Sequence, residues 1–183
     1  MVENNSLALK PVMDVLDFNL ALNMPIEVLR DTIGELEVIL NTLPQTDCPL
    51  KHYFSPGVYG REIFMPKGSL VIGKIHKNQT MNIISVGEIS ILSIDGVIRV
   101  KAPYTFVSSP GAKRVVYMHT DCIWTTFHGT HETDLGKIED EIIAKTYDDV
   151  YVSLEDVKNL MDVSEPIQIE DPVVTDIIIE EIV

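Results

Sequence analysis

Cysteine, basic charge and long apolar runs are all scarce in this sequence, and each scarcity removes a class of explanation. The two cysteines, Cys48 and Cys122, lie in different segments, and neither belongs to a CxxC pair. Disulfide frameworks and thiolate metal sites need paired or clustered cysteines, so the sequence predicts two reduced thiols. No stretch approaches the ~20 consecutive apolar residues of a membrane-spanning helix. The opening MVENNSLALK lacks the basic-then-apolar order of a secretory leader. A soluble protein made in a cytoplasm is therefore expected. Lysine and arginine total 14 against 28 aspartate and glutamate, a net charge of −14. Such a field repels nucleic-acid phosphates and anionic membranes, so neither is expected as a partner. A glycine-rich phosphate loop, a nucleophile motif and an internal repeat are also missing.

What is present reads as an ordinary globular chain. With 183 residues, 45% apolar and 23% charged, it has the length for one compact domain with terminal additions. The charge is unevenly placed. Between Lys51 and Arg114 nine basic residues stand against three acidic ones, Glu62, Glu88 and Asp95; the acidic excess lies in the two ends. A locally positive middle is enclosed by negative flanks.

Residues 1–11 carry no periodicity, and 12–22 follow an imperfect helical pattern. From 25 to 43 the pattern is clear: Ile26, Leu29, Ile33, Leu36, Leu40 and Leu43 recur at three- and four-residue spacing between Pro25 and Pro44. After the linker PQTDCPLKHYFSPG the period switches to strands. Short β-branched and aromatic runs occupy 58–65, 70–76, 81–86, 89–94, 97–101, 105–108, 114–119 and 123–128, with Asp95-Gly96 as a hairpin signal. So many short strands without helix-length connections predict a mainly β sandwich or barrel and exclude a parallel α/β sheet. Asp134 then caps a helix over 135–144, a capping box opens another over 154–161, and the acidic, apolar ending IQIEDPVVTDIIIEEIV follows. The expected division is a helical segment over 1–50, the β domain over 51–130, and a helix with an acidic tail over 131–183.

The stretch GSLVIGKIHKNQTMNIISVGEI and the turn SSPGAKRVVY resemble the two motifs of the cupin superfamily. That resemblance implies a single jelly-roll β-barrel of the RmlC-like type. More narrowly, GVYGREIFMPKGS, RVKAPYTFVSSPGAKR and DCIWTTFHGTHETDL resemble a cupin-like family met in bacteriophage and bacterial genomes. This narrower resemblance implies an uncharacterised phage structural or accessory protein, in the host cytoplasm or virion.

Carried over residue by residue, the cupin ligand positions fall at Lys74, His76, Thr80 and Arg114, so one histidine of the ligand set survives. The resemblance thus implies no cofactor. The alternative is a single divalent metal ion, Fe, Mn, Ni or Zn, on His76 with His119 or His128 recruited, and with Gln79 or Glu88 as oxygen donors. It would make the protein a metal-dependent isomerase, dioxygenase or lyase. The period of two places Lys74 and His76 on one strand face. In a cupin frame that face looks into the barrel mouth, where Arg114 also falls. Cations there make an anion cup for a carboxylate or phosphate; the competing reading is that they reach solvent or pair with acids of the terminal segments. His52 and His131 are expected in surface loops. The strand-prone runs around Ile177–Ile179 predict self-association or contact with other structural proteins through a sheet edge.

Overall fold

The computed structural model describes residues 24–150. The expected arm over 1–11, the helical pattern over 12–22, the helix over 154–161 and the acidic tail lie outside the described residues.

Helix α1, Ile26–Leu40, starts directly after Pro25, whose fixed φ and missing N–H suit a helix start and whose carbonyl accepts from the Leu29 N–H at 3.0 Å. Its buried residues are Leu29, Ile33 and Leu36, the stripe that the spacing predicts. The helix stops short of Leu43 because Thr42 and Leu43 turn into three-residue hydrogen bonds ahead of Pro44, and the Gln45 amide donates to the freed carbonyls of Leu40 and Leu43.

Eleven short strands follow. They are β1 Leu50–Ser55, β2 Val58–Met65, β3 Leu70–Ile72, β4 Ile75–His76, β5 Thr80–Val86, β6 Glu88–Ser93, β7 Gly96–Lys101, β8 Tyr104–Ser108, β9 Val115–Met118, β10 Cys122–Gly129 and β11 Ile143–Ala144. A five-stranded sheet has the order β1-β2-β10-β5-β8, and a four-stranded sheet the order β3-β9-β6-β7. All their pairings are antiparallel. With β1 set aside, the chain alternates between two four-stranded sheets so that late strands pair beside early ones, which is jelly-roll connectivity. Among the described residues no ladder joins these two sheets, so the expected closed barrel is an open two-sheet sandwich.

Between the sheets lie Met65, Ile84, Ile89, Ile91, Val100, Val116, Met118, Cys122 and Trp124. The far side of the four-stranded sheet is covered by α1, whose three buried residues pack on Leu92 and Val115. Each such side chain contributes about 2 kcal/mol by burial. Lys113 pairs with Glu37 and fixes the helix to the sheet.

Three details differ from the sequence reading. The linker holds β1, an edge strand whose side chains are almost all exposed, so no apolar alternation marks it. The run 70–76 is interrupted at Gly73 and Lys74, which belong to neither β3 nor β4. Helix α2, Leu135–Ile142, is capped by Asp134, whose side chain accepts from the Lys137 N–H; it ends two residues early, where β11 pairs with β4.

Candidate functional site

The inner face of the five-stranded sheet changes character along its length. Alternation on β2 turns Tyr59, Arg61, Ile63 and Met65 inward, and on β10 it turns Cys122, Trp124, Thr126 and His128 the same way. Register then places Met65 against Cys122, Trp124 between Ile63 and Ile84, Thr126 between Arg61 and Asn82, and Tyr59 against His128. On the outer pair, Asn82 faces Phe106 and Thr80 faces Ser108. One end of the interior is thus apolar and the other polar.

At the polar end Asn82 is fully buried and fully engaged. Its amide donates to the Thr80 carbonyl and the Ser108 hydroxyl, both at 2.9 Å. Its oxygen accepts from Trp124 Nε1 at 3.0 Å and the Thr126 hydroxyl at 3.2 Å. Thr80, where the resemblance places a metal-binding glutamate, shares a 2.7 Å hydrogen bond with Ser108.

The opposite wall brings His76 and Arg114. The Gly73 N–H donates to the Arg114 carbonyl, and Gly111 donates to the His76 carbonyl, so the two segments run side by side. The break at Gly73-Lys74 separates the two residues expected to share a face. His76 stacks on His128 with ring centroids 5.4 Å apart, whereas Lys74 is exposed and pairs with Glu139 of α2. Lys74 is therefore corrected from a cup residue to a surface latch.

Arg114 is 6% exposed. Its guanidinium carbon lies 5.9 Å from the Phe106 ring centroid and 5.7 Å from that of Trp124. Its Nε and Nη2 are buried and find no hydrogen-bond partner among the described residues, as is true of His76 Nδ1. Burial pulls the Arg114 guanidinium below its ordinary value. Burial also lowers the His76 imidazole to about 3, helped by the positive charge of Arg114, then by His128 and Arg61. His128 is lowered to about 4 by burial and by Arg61. Both rings are neutral at pH 7, each with one N–H and one lone pair.

An aromatic row leads outward from this point: His128 stacks on Tyr59 at 5.9 Å, and Tyr59 stacks on His52 at 5.9 Å and on Phe54 at 5.3 Å. His52 lies on β1 rather than in a loop, and its Nδ1 meets the Tyr59 hydroxyl at 2.7 Å. Helix α2 closes the same end by packing Ile138 and Ile142 on Tyr59. His131 is exposed, as expected for a loop residue.

His119 stands elsewhere. It follows β9 in phase with Val115 and Tyr117, packs edge-on against Tyr117 and bonds to the Ser90 hydroxyl at 2.8 Å. Val115 meets α1, so this phase is the outer side of the four-stranded sheet. Glu88 pairs with Arg99. Two stacked imidazoles flanked by Arg61 and Arg114 do not fit a divalent cation, which needs three or more converging donors. Among the described residues no three histidine, cysteine, aspartate or glutamate side chains gather for one.

Sequence reasoning missed Arg61 and Tyr59. Their signal was present in VYGREIFM: Tyr59, Arg61, Ile63 and Met65 occupy one phase, so an arginine interrupts an apolar inward row.

No family model matches the chain, and no curated protein matches it, which leaves the narrower phage and bacterial resemblance unsupported. Solved structures similar to it include a conserved protein of unknown function from Streptococcus pyogenes, at 15% identity, covering 49% of this chain and 80% of that one with a TM-score of 0.40. A cupin superfamily protein from Desulfitobacterium hafniense matches at 12% identity over 48% of this chain and 81% of its own, TM-score 0.40. An RmlC-like cupin family protein with a double-stranded β-helix fold from Methanocaldococcus jannaschii matches at 14% identity over 48% and 84%, TM-score 0.39. No helix among the described residues is long and apolar enough to cross a membrane. The alternation of β2, β3 and β5–β10 between the two sheets gives this chain jelly-roll connectivity.

Proposed function

We propose that the domain is a non-catalytic binding module whose polar end takes a small anion, with Arg114 as the principal contact and Arg61 and His76 beside it. The observation that carries this reading is the buried guanidinium with Nε and Nη2 unpartnered. An uncompensated buried charge costs several kcal/mol, a large share of a total stability of about 5–15 kcal/mol. Phe106 and Trp124 each offset about 0.5–2 kcal/mol through their ring faces, but a ring face does not accept the in-plane N–H groups. Arg114 and Arg61 form no ion pair among the described residues. An anion supplies what is missing.

The test is thermal unfolding with 10 mM acetate, phosphate or chloride, for the wild type and Arg114→Met. An anion present at about 100 times its dissociation constant stabilises the fold by about 2.7 kcal/mol. The wild type then melts several degrees higher with at least one of the first two anions than with chloride, and the variant does not. Equal melting in all three salts contradicts the reading.

A second reading, self-association, is favoured by the outer face of the five-stranded sheet. Tyr53, Phe127, Met81 and Val107 form one row across it, and Tyr53, Met81 and Val107 are exposed. The neighbouring row holds the Lys51–Glu62 pair. Its opposite charges let a second copy, rotated by a two-fold axis, set lysine on glutamate. Light scattering shows a dimer that Met81→Glu with Val107→Glu dissociates; a monomeric wild type rejects this reading.

A further inference from the structure

The unpartnered atoms say more about the anion than its charge. Nε and Nη2 form one edge of a guanidinium, and their N–H bonds run parallel at the spacing of the two oxygens of a carboxylate. Both are without a partner on Arg114 among the described residues. A planar, two-oxygen anion uses both bonds. Asn82, Thr80, Ser108 and the Trp124 indole are already committed to one another. They hold the wall rigid without offering a further contact.

His76 Nδ1 is also buried at this end and has no partner among the described residues. Arg114 and Arg61 both act on this ring. In the tautomer with its proton on Nε2, Nδ1 presents a lone pair. That nitrogen accepts, so the matching ligand group is a donor. We infer that the cup is built for a short hydroxycarboxylate, its carboxylate held side-on by the Arg114 edge and its hydroxyl donating to His76 Nδ1. This assignment rests on the anion-cup reading and narrows it.

The experiment is isothermal titration at pH 7 with glycolate, acetate and inorganic phosphate. The proteins are the wild type, Arg114→Lys, His76→Phe and His76→Asn, with folding of each checked by circular dichroism. A hydrogen bond of ordinary strength makes glycolate bind about tenfold tighter than acetate to the wild type. His76→Phe removes that preference; His76→Asn, which restores an acceptor, keeps part of it and serves if the first variant does not fold. Arg114→Lys weakens both carboxylates by about tenfold, because an ammonium lacks the fork. Equal affinity for glycolate and acetate overturns the hydroxyl contact. Phosphate binding tighter than either carboxylate overturns the ligand class but leaves the anion cup standing. Binding of none of the three overturns both.

Discussion

Lowering the pH from 7 to 5 should destabilise this fold through two named side chains. His76 and His128 titrate at about 3 and about 4 in the folded protein, against an ordinary value of 6.5. Because the folded values are depressed, the unfolded chain binds protons first. Their contribution is fully present above about pH 6.5 and is lost as the pH falls toward the folded values. Between pH 7 and 5 the unfolded state gains about 0.7 proton per ring while the folded state gains almost none. The loss is about 2 kcal/mol per histidine, or about 4 kcal/mol for the pair. That is a large part of a stability of about 5–15 kcal/mol. Ordinary carboxylates titrate below this window, and Glu132, Glu139 and Asp149 are held lower still by their hydrogen bonds. The window therefore isolates the imidazoles. The assay is urea unfolding followed by the fluorescence of Trp124, the single tryptophan, which is buried. The wild type should lose about 4 kcal/mol across the window, and His76→Asn with His128→Asn below about 1 kcal/mol. A wild type indifferent to this pH change, or a double variant that loses as much, refutes the burial of these rings beside Arg61 and Arg114.

Three further outcomes test the frame that holds the cup. Asn82→Ala strands the Trp124 indole N–H in the interior and should cost about 2–4 kcal/mol in urea unfolding. Ile33→Ala, at a fully buried position on the inner face of α1, should cost about 2–5 kcal/mol in the same assay. Gly87→Ala puts a Cβ against the Asp121 carbonyl and Cys122 at φ +98°, whereas Gly96→Ala meets open space at φ +108°. By thermal melting the first should cost well over about 2 kcal/mol and the second about 1 kcal/mol.

The strands were readable wherever one face meets the core, since alternation is the signal burial leaves. Val58–Met65 appears at the expected bounds, and the later strands depart from theirs by a residue or so, apart from the run 70–76, which breaks into β3 and β4. β1 was invisible because an exposed edge strand imposes no pattern. The site was half legible. His76, His128 and Arg114 do meet at one end of the interior, but a strict period of two added Lys74, which the break at Gly73 turns outward. His119 could not be assigned a face, because parity relates neighbours on one strand and does not say which side is inside. Arg61 was hidden for the opposite reason: a charged residue reads as solvent-facing unless its phase is tracked. Closure into a barrel is a matter of hydrogen bonds between distant strands, which no local pattern records.

The central claim is that the Arg114 edge awaits a carboxylate, and the most direct measurement is the Arg114 Nε–H resonance in a proton–nitrogen correlation spectrum. Glycolate at saturation should move that resonance downfield and slow its exchange with water, while Arg99, already paired with Glu88, keeps its position. An Arg114 resonance unchanged at saturating glycolate contradicts the account.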